Sequence, residues 1–255
     1  MSDHPKDKMV DKNRVRLHKI IAKSGISSLR EAERLILDGR VSVNDKFVTT
    51  VGSSADPIND KIKVDEKLVV VKNPHVYIKC YKPKGYITTR KDDRDRKTVI
   101  DLLPEKYKSL YPVGRLDFHS EGLLILSNDG DLTNKITSPK SKLSKIYLVK
   151  LKNIPTEKTM RKALTGITIA GEKLKLHEGK IIDKSSDKCW IRVELQEGKN
   201  RQIRRLFQAL GHPVLKLKRI AIGPIKLATL KSGESTHVTE KELSSLKRYL
   251  RKNSS

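Results

Sequence analysis

Cysteine is almost missing from this chain. Cys80 and Cys189 are its only two in 255 residues, far apart and with no further Cys or His at ligand spacing beside them. That pattern supports neither a disulfide framework nor a zinc site. Long apolar runs are missing as well: nothing approaches the roughly 18 residues that a membrane-crossing helix needs. The first thirteen residues interleave Lys6, Lys8 and Lys12 with Asp3, Asp7 and Asp11 around no apolar centre, unlike a secretory signal or a transit peptide. Residues 1–13 are therefore expected to form a disordered tail on a cytoplasmic protein. No glycine-rich phosphate-cradling loop follows a strand, which disfavours a methyltransferase-like cofactor site. No internal repeat stands out.

Acidic residues are scarce beside basic ones, 30 against 55, for a formal net charge of +25. An excess of that size suits a polyanionic partner, because cationic side chains that neutralise phosphates release condensed counterions. Nucleic acid, a membrane surface and an acidic protein are the polyanions to weigh. The excess is uneven: residues 1–75 carry net +4 and residues 76–255 net +21. The length accommodates one large or two modest domains, each able to bury a core.

Organised text begins near Arg14. Leu17, Ile20 and Ile21, then Ala32, Leu35 and Ile36, fall at helical spacing, and Ser24-Gly25-Ile26-Ser27-Ser28 between them ends one helix and caps the next. Val41, Val43, Phe47, Val48, Ile62 and Val64 read as short strands separated by turns. A composition change at Pro74 and His75 marks a linker. The expected boundaries are a first domain at 14–72, a linker at 73–76, a second domain at 77–250 and a disordered tail at 251–255.

The second domain opens on a strand, Tyr77 to Lys82, that runs into a Pro/Gly turn. Residues 90–97 are all polar, and read either as a solvated loop or as a flap ordered by a bound polyanion. Gly114-Arg115-Leu116-Asp117-Phe118-His119-Ser120-Glu121-Gly122 then places a carboxylate just ahead of the apolar run Leu123–Leu126 and the turn dipeptide Asp129-Gly130. From spacing alone Asp117 is as well explained as a turn-capping aspartate. Lys145 to Val149 alternates as a strand, with Tyr147 on the side opposite Ile146 and Leu148. Met160 to Leu164 suggests a helix, and Trp190 to Leu195 an alternating strand with Trp190 in the core. Gln202 to Leu210 reads as an amphipathic helix: Ile203, Leu206, Phe207 and Leu210 make one stripe, and Arg201, Arg204 and Arg205 lie off it.

Two resemblances sharpen these readings. Arg16-Leu17-His18-Lys19, Ala22-Lys23-Ser24-Gly25, Ser28-Leu29-Arg30-Glu31-Ala32 and Gly39-Arg40-Val41-Ser42-Val43-Asn44 resemble the S4 RNA-binding domain family, which implies RNA contacts at Lys19, Arg30 and Arg40. Lys82-Pro83-Lys84-Gly85, the Gly-Arg-Leu-Asp stretch with its Gly122-to-Gly130 continuation, Lys145-Ile146-Tyr147-Leu148-Val149 and Gly198-Lys199-Asn200-Arg201-Gln202-Ile203-Arg204-Arg205 resemble the ribosomal RNA pseudouridine synthases of the RsuA/RluB type, most of all the large-subunit members. Ser235-Thr236 departs from that pattern, which generally has Trp-Arg there.

The second resemblance implies a catalytic Asp117, a Tyr147 packed on the target uracil, and an Arg204 paired with Asp117. Arg115, Arg201 and Arg205 are then expected on RNA. The implied fold is α+β, a small S4-like α/β module followed by a catalytic domain with a mixed, mainly antiparallel sheet flanked by helices. The implied function is isomerisation of one uridine in 23S ribosomal RNA, with no metal and no cofactor, by a monomer that touches no membrane. The same reaction on 16S or transfer RNA, and a non-catalytic ribosome assembly factor, are the alternatives.

Overall fold

The computed structural model describes residues 14–57, 60–70 and 75–252. The tail expected at 1–13 lies outside them, as do residues 73 and 74 of the expected linker and 253–255 of the expected C-terminal tail. The chain divides into two compact units, Met1–Pro74 and His75–Ser255.

The first unit contains β1 (Val15–Arg16), α1 (Leu17–Lys23), α2 (Leu29–Leu37), β2 (Val41–Val43), β3 (Lys46–Phe47), β4 (Ser54–Ala55), β5 (Ile62–Val64) and β6 (Lys67–Leu68). Ser28 caps α2 by accepting a hydrogen bond from Glu31 N at 3.2 Å, as a Ser-x-x-Glu start should. The apolar positions at helical spacing, Leu17, Ile20, Ile21, Ala32, Leu35 and Ile36, are all buried against Val41, Ile62 and Val64. Those three lie on the inner face of an antiparallel sheet ordered β3-β2-β5-β6.

The second unit runs β7 (Tyr77–Lys82), β8 (Tyr111–Val113), β9 (Glu121–Ser127), α3 (Gly130–Thr137), β10 (Lys145–Lys152), α4 (Glu157–Thr165), β11 (Ile167–Ile169), β12 (Glu172–Leu174), β13 (Glu178–Lys184), β14 (Lys188–Leu195), α5 (Gln202–Ala209), β15 (Val214–Ile222), β16 (Ile225–Lys226), β17 (Ser235–His237) and α6 (Glu240–Lys252). Its main sheet is ordered β13-β14-β10-β15-β9-β7-β17, with β8 on β9 and β16 on β15. Every pairing is antiparallel except β15 with β9, so the mixed, mainly antiparallel sheet is present.

One face of this sheet packs Cys80, Leu124, Val149, Ile191 and Val193 against Ala163 of α4 and Ile203, Leu206 and Phe207 of α5. Burying such side chains stabilises the unit by roughly 1.5–3 kcal/mol each. On the other face, Tyr77, Leu123 and Ile125 pack against α3 and α6. The strands β7 and β9 are thus covered on both sides.

Three readings need correction. Asp129 does not make a simple turn with Gly130: its carboxylate accepts from Leu132 N and caps α3. Trp190 is half-buried outside the core, since it shares strand parity with Lys188 and Arg192 while Cys189 and Ile191 face inward. Arg251 and Lys252 form the last turn of α6 rather than a tail.

Candidate active site

Sheet register builds the site. Lys82 on β7 pairs with Gly122 on β9, Gly122 with Arg219 on β15, and Arg219 with Tyr147 on β10, one continuous row across four strands. Gly122 is obligatory in that row: its φ is +107°, and a Cβ there would sit 2.2 Å from the carbonyl oxygen of Arg219. Lys82, Arg219 and Tyr147 point to the α5 side, where the Gly114–Ser120 loop lies.

That loop is held carbonyl by carbonyl. Arg115 O accepts from Arg219 Nη1 at 3.4 Å, Leu116 O from Thr88 Oγ1 at 2.7 Å, and Asp117 O from Lys82 Nζ at 3.1 Å. Phe118 O accepts from Gly85 N at 3.0 Å, His119 O from Arg204 Nη2 at 2.8 Å, and Ser120 O from Lys82 Nζ at 2.7 Å. Six consecutive carbonyls therefore have donors from elsewhere in the chain, three of which are cationic side chains. Such donors fix the backbone around Asp117 and surround it with positive charge. The Asp117 carboxylate itself makes no hydrogen bond or ion pair with any described residue.

Lys82 is 0 % exposed and also donates to Pro83 O at 2.9 Å. Burial pulls its pKa down to about 8, against the opposing pull of Asp117. Lys145, whose Nζ donates to Leu143 O, is likewise lowered to about 8, by burial and then by Arg219. Arg219 is 4 % exposed and donates from Nε to Leu123 O at 2.8 Å.

A cavity of about 440 Å³ opens over this row, with Arg115, Asp117, Ser120, Lys145, Tyr147 and Arg219 in its wall. It is large enough for a nucleoside. Ser120 Oγ and Arg219 Nη2 are buried there with no hydrogen-bond partner among the described residues. Leaving such a group unpaired costs about 1–3 kcal/mol, so the wall of the site holds local strain. Tyr147 is 8 % exposed and faces away from Ile146 and Leu148, as its alternation predicts.

Of the residues singled out in the sequence, Asp117, Tyr147, Arg115 and Arg201 line one cavity. Arg204 stands beside it but forms no ion pair with Asp117. Its guanidinium donates instead to His119 O and to Val214 O at 3.2 Å, which anchors the loop backbone two residues beyond Asp117. Burial lowers its pKa, Arg201 adds to that, and Asp117 opposes both. Arg205, expected on RNA, is tied down internally: Nη1 meets Glu172 Oε2 at 2.6 Å and Nη2 meets Ile169 O, joining α5 to the β11–β12 hairpin.

In the first unit Lys19 and Arg30 are exposed and outside any ion pair with a described residue, whereas Arg40 is held in a two-point bridge by Asp65. The loop 90–97 is stapled by Asp92, which accepts from the backbone of Arg94 and Arg96 and from the Arg96 guanidinium. The Arg96 hydrogen bond holds that carboxyl below the usual range. Lys82 and Arg219 were missed as site residues. Arg219 had a signal, since it shares strand parity with the buried Leu217.

The family described as RNA pseudouridylate synthase matches residues 76–209, and the S4 domain matches residues 15–57. The ribosomal large subunit pseudouridine synthase B of Bacillus subtilis (strain 168) is 39% identical over 234 residues, 91% of this chain and 95% of that protein. An uncharacterized RNA pseudouridine synthase of Rickettsia bellii is 40% identical over 226 residues, 89% of this chain and 97% of the relative. A solved structure, described as the crystal structure of pseudouridylate synthase, superposes with a TM-score of 0.65 at 28% identity, covering 91% of this chain and 99% of that one.

Proposed function

Because the chain belongs to the RNA pseudouridylate synthase family, we propose that it isomerises one uridine of large-subunit ribosomal RNA to pseudouridine, with Asp117 as nucleophile. One observation carries the reading: Asp117 presents to a nucleoside-sized cavity a carboxylate with no hydrogen-bond or ion-pair partner among the described residues, while the backbone on both sides of it is anchored.

The reaction breaks the bond from the ribose anomeric carbon to N1 of uracil and joins that carbon to C5 of the same ring. C5 loses a proton and N1 gains one, so nothing is added or removed. A paired uridine has to leave the stack first, at a cost of a few kcal/mol. Arg115 and Arg201, exposed at the cavity, suit the displaced backbone.

Ionised Asp117 attacks either the anomeric carbon or C6 of the ring. Tyr147 offers a flat apolar face to the uracil and a hydroxyl near the C5 proton. Lys82 and Arg204 are positioning residues that hold the Asp117 loop. The first unit, with Lys19 and Arg30 free, reads RNA shape, and the protein works as a monomer in the cytoplasm.

Asp117→Asn tests the assignment. Tritium release from C5-labelled uridine in ribosomal RNA should fall below detection while RNA affinity stays within about tenfold, because an amide keeps the shape but not the nucleophile. Release within tenfold of the parent removes Asp117 from that role. Carbodiimide mapping of pseudouridines in cells with and without the protein then names the uridine.

A further inference from the structure

The cavity opens on one face of the main sheet. The opposite face of β13, β14, β10 and β15 carries cations in an arrangement that folding alone disfavours. Lys180 stands directly across from Arg192, Lys150 across from Lys216, and Lys152 across from Lys188. Like charges directly opposite one another on paired strands destabilise the sheet. An antiparallel sheet that merely faces water gains by alternating the sign instead. Some of the repulsion is answered locally, by Glu178 and Glu194 beside Arg192 and by Asp187 beside Lys188. Lys150, Lys152, Lys180 and Lys216 form no ion pair with any described residue.

Among these cations lies Trp190, the sole tryptophan of the chain. It pairs with Lys150 of β10 on one side and Asp183 of β13 on the other, and the Lys150 ammonium sits 5.8 Å from the centre of its ring. Trp190 and Leu148 belong to none of the three apolar cores. An aromatic ring beside lysines that have no acidic partner among the described residues, on an open sheet, is the combination that holds single-stranded nucleic acid, bases stacking on the ring and phosphates meeting the amines. A lipid surface is a poorer match: the exposed large apolar side chains on these strands are Ile182 of β13 and Leu215 of β15, separated by two strands rather than clustered for insertion.

We propose that this face is a second RNA-binding surface, in which Lys150, Lys152, Lys180 and Lys216 meet phosphates and Trp190 stacks on a base of RNA outside the target nucleotide. It rests on the RNA-modifying reading above. The repulsion is then relieved whenever RNA is bound, which explains why the fold keeps it.

Trp190 provides the test. A large-subunit ribosomal RNA transcript titrated into the full-length protein should quench tryptophan fluorescence over the same range in which binding is seen. In the double variant Lys150→Gln/Lys216→Gln, the slope of log affinity against log salt should fall by about 1.4–1.8, one counterion term per lost phosphate contact. Its melting temperature should stay at or near the parent value, since removal of the repulsive pair offsets the lost Lys150–Trp190 contact. An unmoved slope with unquenched fluorescence overturns the proposal and leaves the face to solvent or an acidic protein. A lowered melting temperature also overturns it, because the lysines would then be structural. If the parent protein converts uridine while the slope stays put, only this surface fails. If the parent converts none, the reading of the cavity fails first.

Discussion

The two faces of the main sheet use the same residue types to opposite ends. On the α5 side, Lys82 and Arg219 are buried, and their N–H groups go to carbonyls of the Asp117 loop and of β9. On the far side, Lys150 and Lys216 face each other across two strands with no acid between them. A buried cation is tolerated only when hydrogen bonds replace its lost water, and here the replacements are backbone oxygens whose positions become fixed in return. An exposed cation keeps its water and its freedom, so it can answer a charge that arrives from outside. Charge count alone therefore says little about role: the +21 of residues 76–255 includes both kinds.

The comparison breaks most easily at Lys82. Lys82→Met should fill much the same space but leave Pro83 O and Ser120 O without their charged donor. A shift of the Asp117 loop by an ångström costs about 100-fold in turnover. Tritium release should show a loss of that order with RNA affinity nearly unchanged. Turnover within threefold of the parent would mean that the clamp is incidental.

The charge on Lys82 adds a pH signature. Its folded pKa of about 8 lies below the ordinary 10.5, so between those values the unfolded chain binds more protons than the folded one. Stability should therefore rise with pH across that window. Turnover should fall as pH rises through about 8, the folded value, because the neutral amine has fewer protons to donate to its three carbonyls. Lys145 titrates in the same range. The alkaline limb should survive in Lys145→Gln, and its disappearance there would move the role to Lys145.

Much of this site was legible in the chain. The Gly-Arg-Leu-Asp stretch located Asp117, period-two alternation oriented Tyr147, and the apolar stripe of α5 oriented its arginines. Lys82 was hidden because β7 is buried along its whole length; where both faces of a strand are covered, alternation carries no inside-outside signal. The true partner of Arg204 was hidden because it is a main-chain oxygen, His119 O, and no side-chain pattern advertises a carbonyl. Trp190 was legible and misread: its large apolar ring suggested the core, but its parity with Lys188 and Arg192 had already put it on the far face. Gly122 shows the limit of local reading, since its crowding comes from Arg219, almost a hundred residues away in the chain.

Gly122 also separates the two faces experimentally. In Gly122→Ala the new methyl must push β15 away from β9, because the atom it meets is backbone and cannot rotate aside. Overpacking of this kind costs about 1–3 kcal/mol, a drop of several degrees in melting temperature. Arg219 moves with β15, so turnover should drop about tenfold. The like-charge pair Lys150–Lys216 lies farther along β10 and β15, and the salt slope of RNA binding should stay at the parent value. A changed slope would show that the two faces are mechanically coupled.

The smallest contrast lies between neighbours on α5. Arg204 reaches His119 O and Val214 O with a planar fork, and a lysine at the same place has one compact donor group for two separated acceptors. Arg204→Lys should therefore lower turnover about fivefold, through a loosened loop, while leaving the salt slope alone. Arg205 lies one residue on, but its guanidinium is spent on Glu172 and Ile169 at the β11–β12 hairpin. Arg205→Ala should change neither turnover nor salt slope by more than about twofold, and its effect should appear instead as faster hydrogen exchange at Ile167–Leu174, where a packing tie has been cut. Should Arg205→Ala reduce the salt slope by about one unit, Arg205 releases Glu172 to bind a phosphate when RNA arrives, and the line between committed and free cations would have to be redrawn on the bound enzyme.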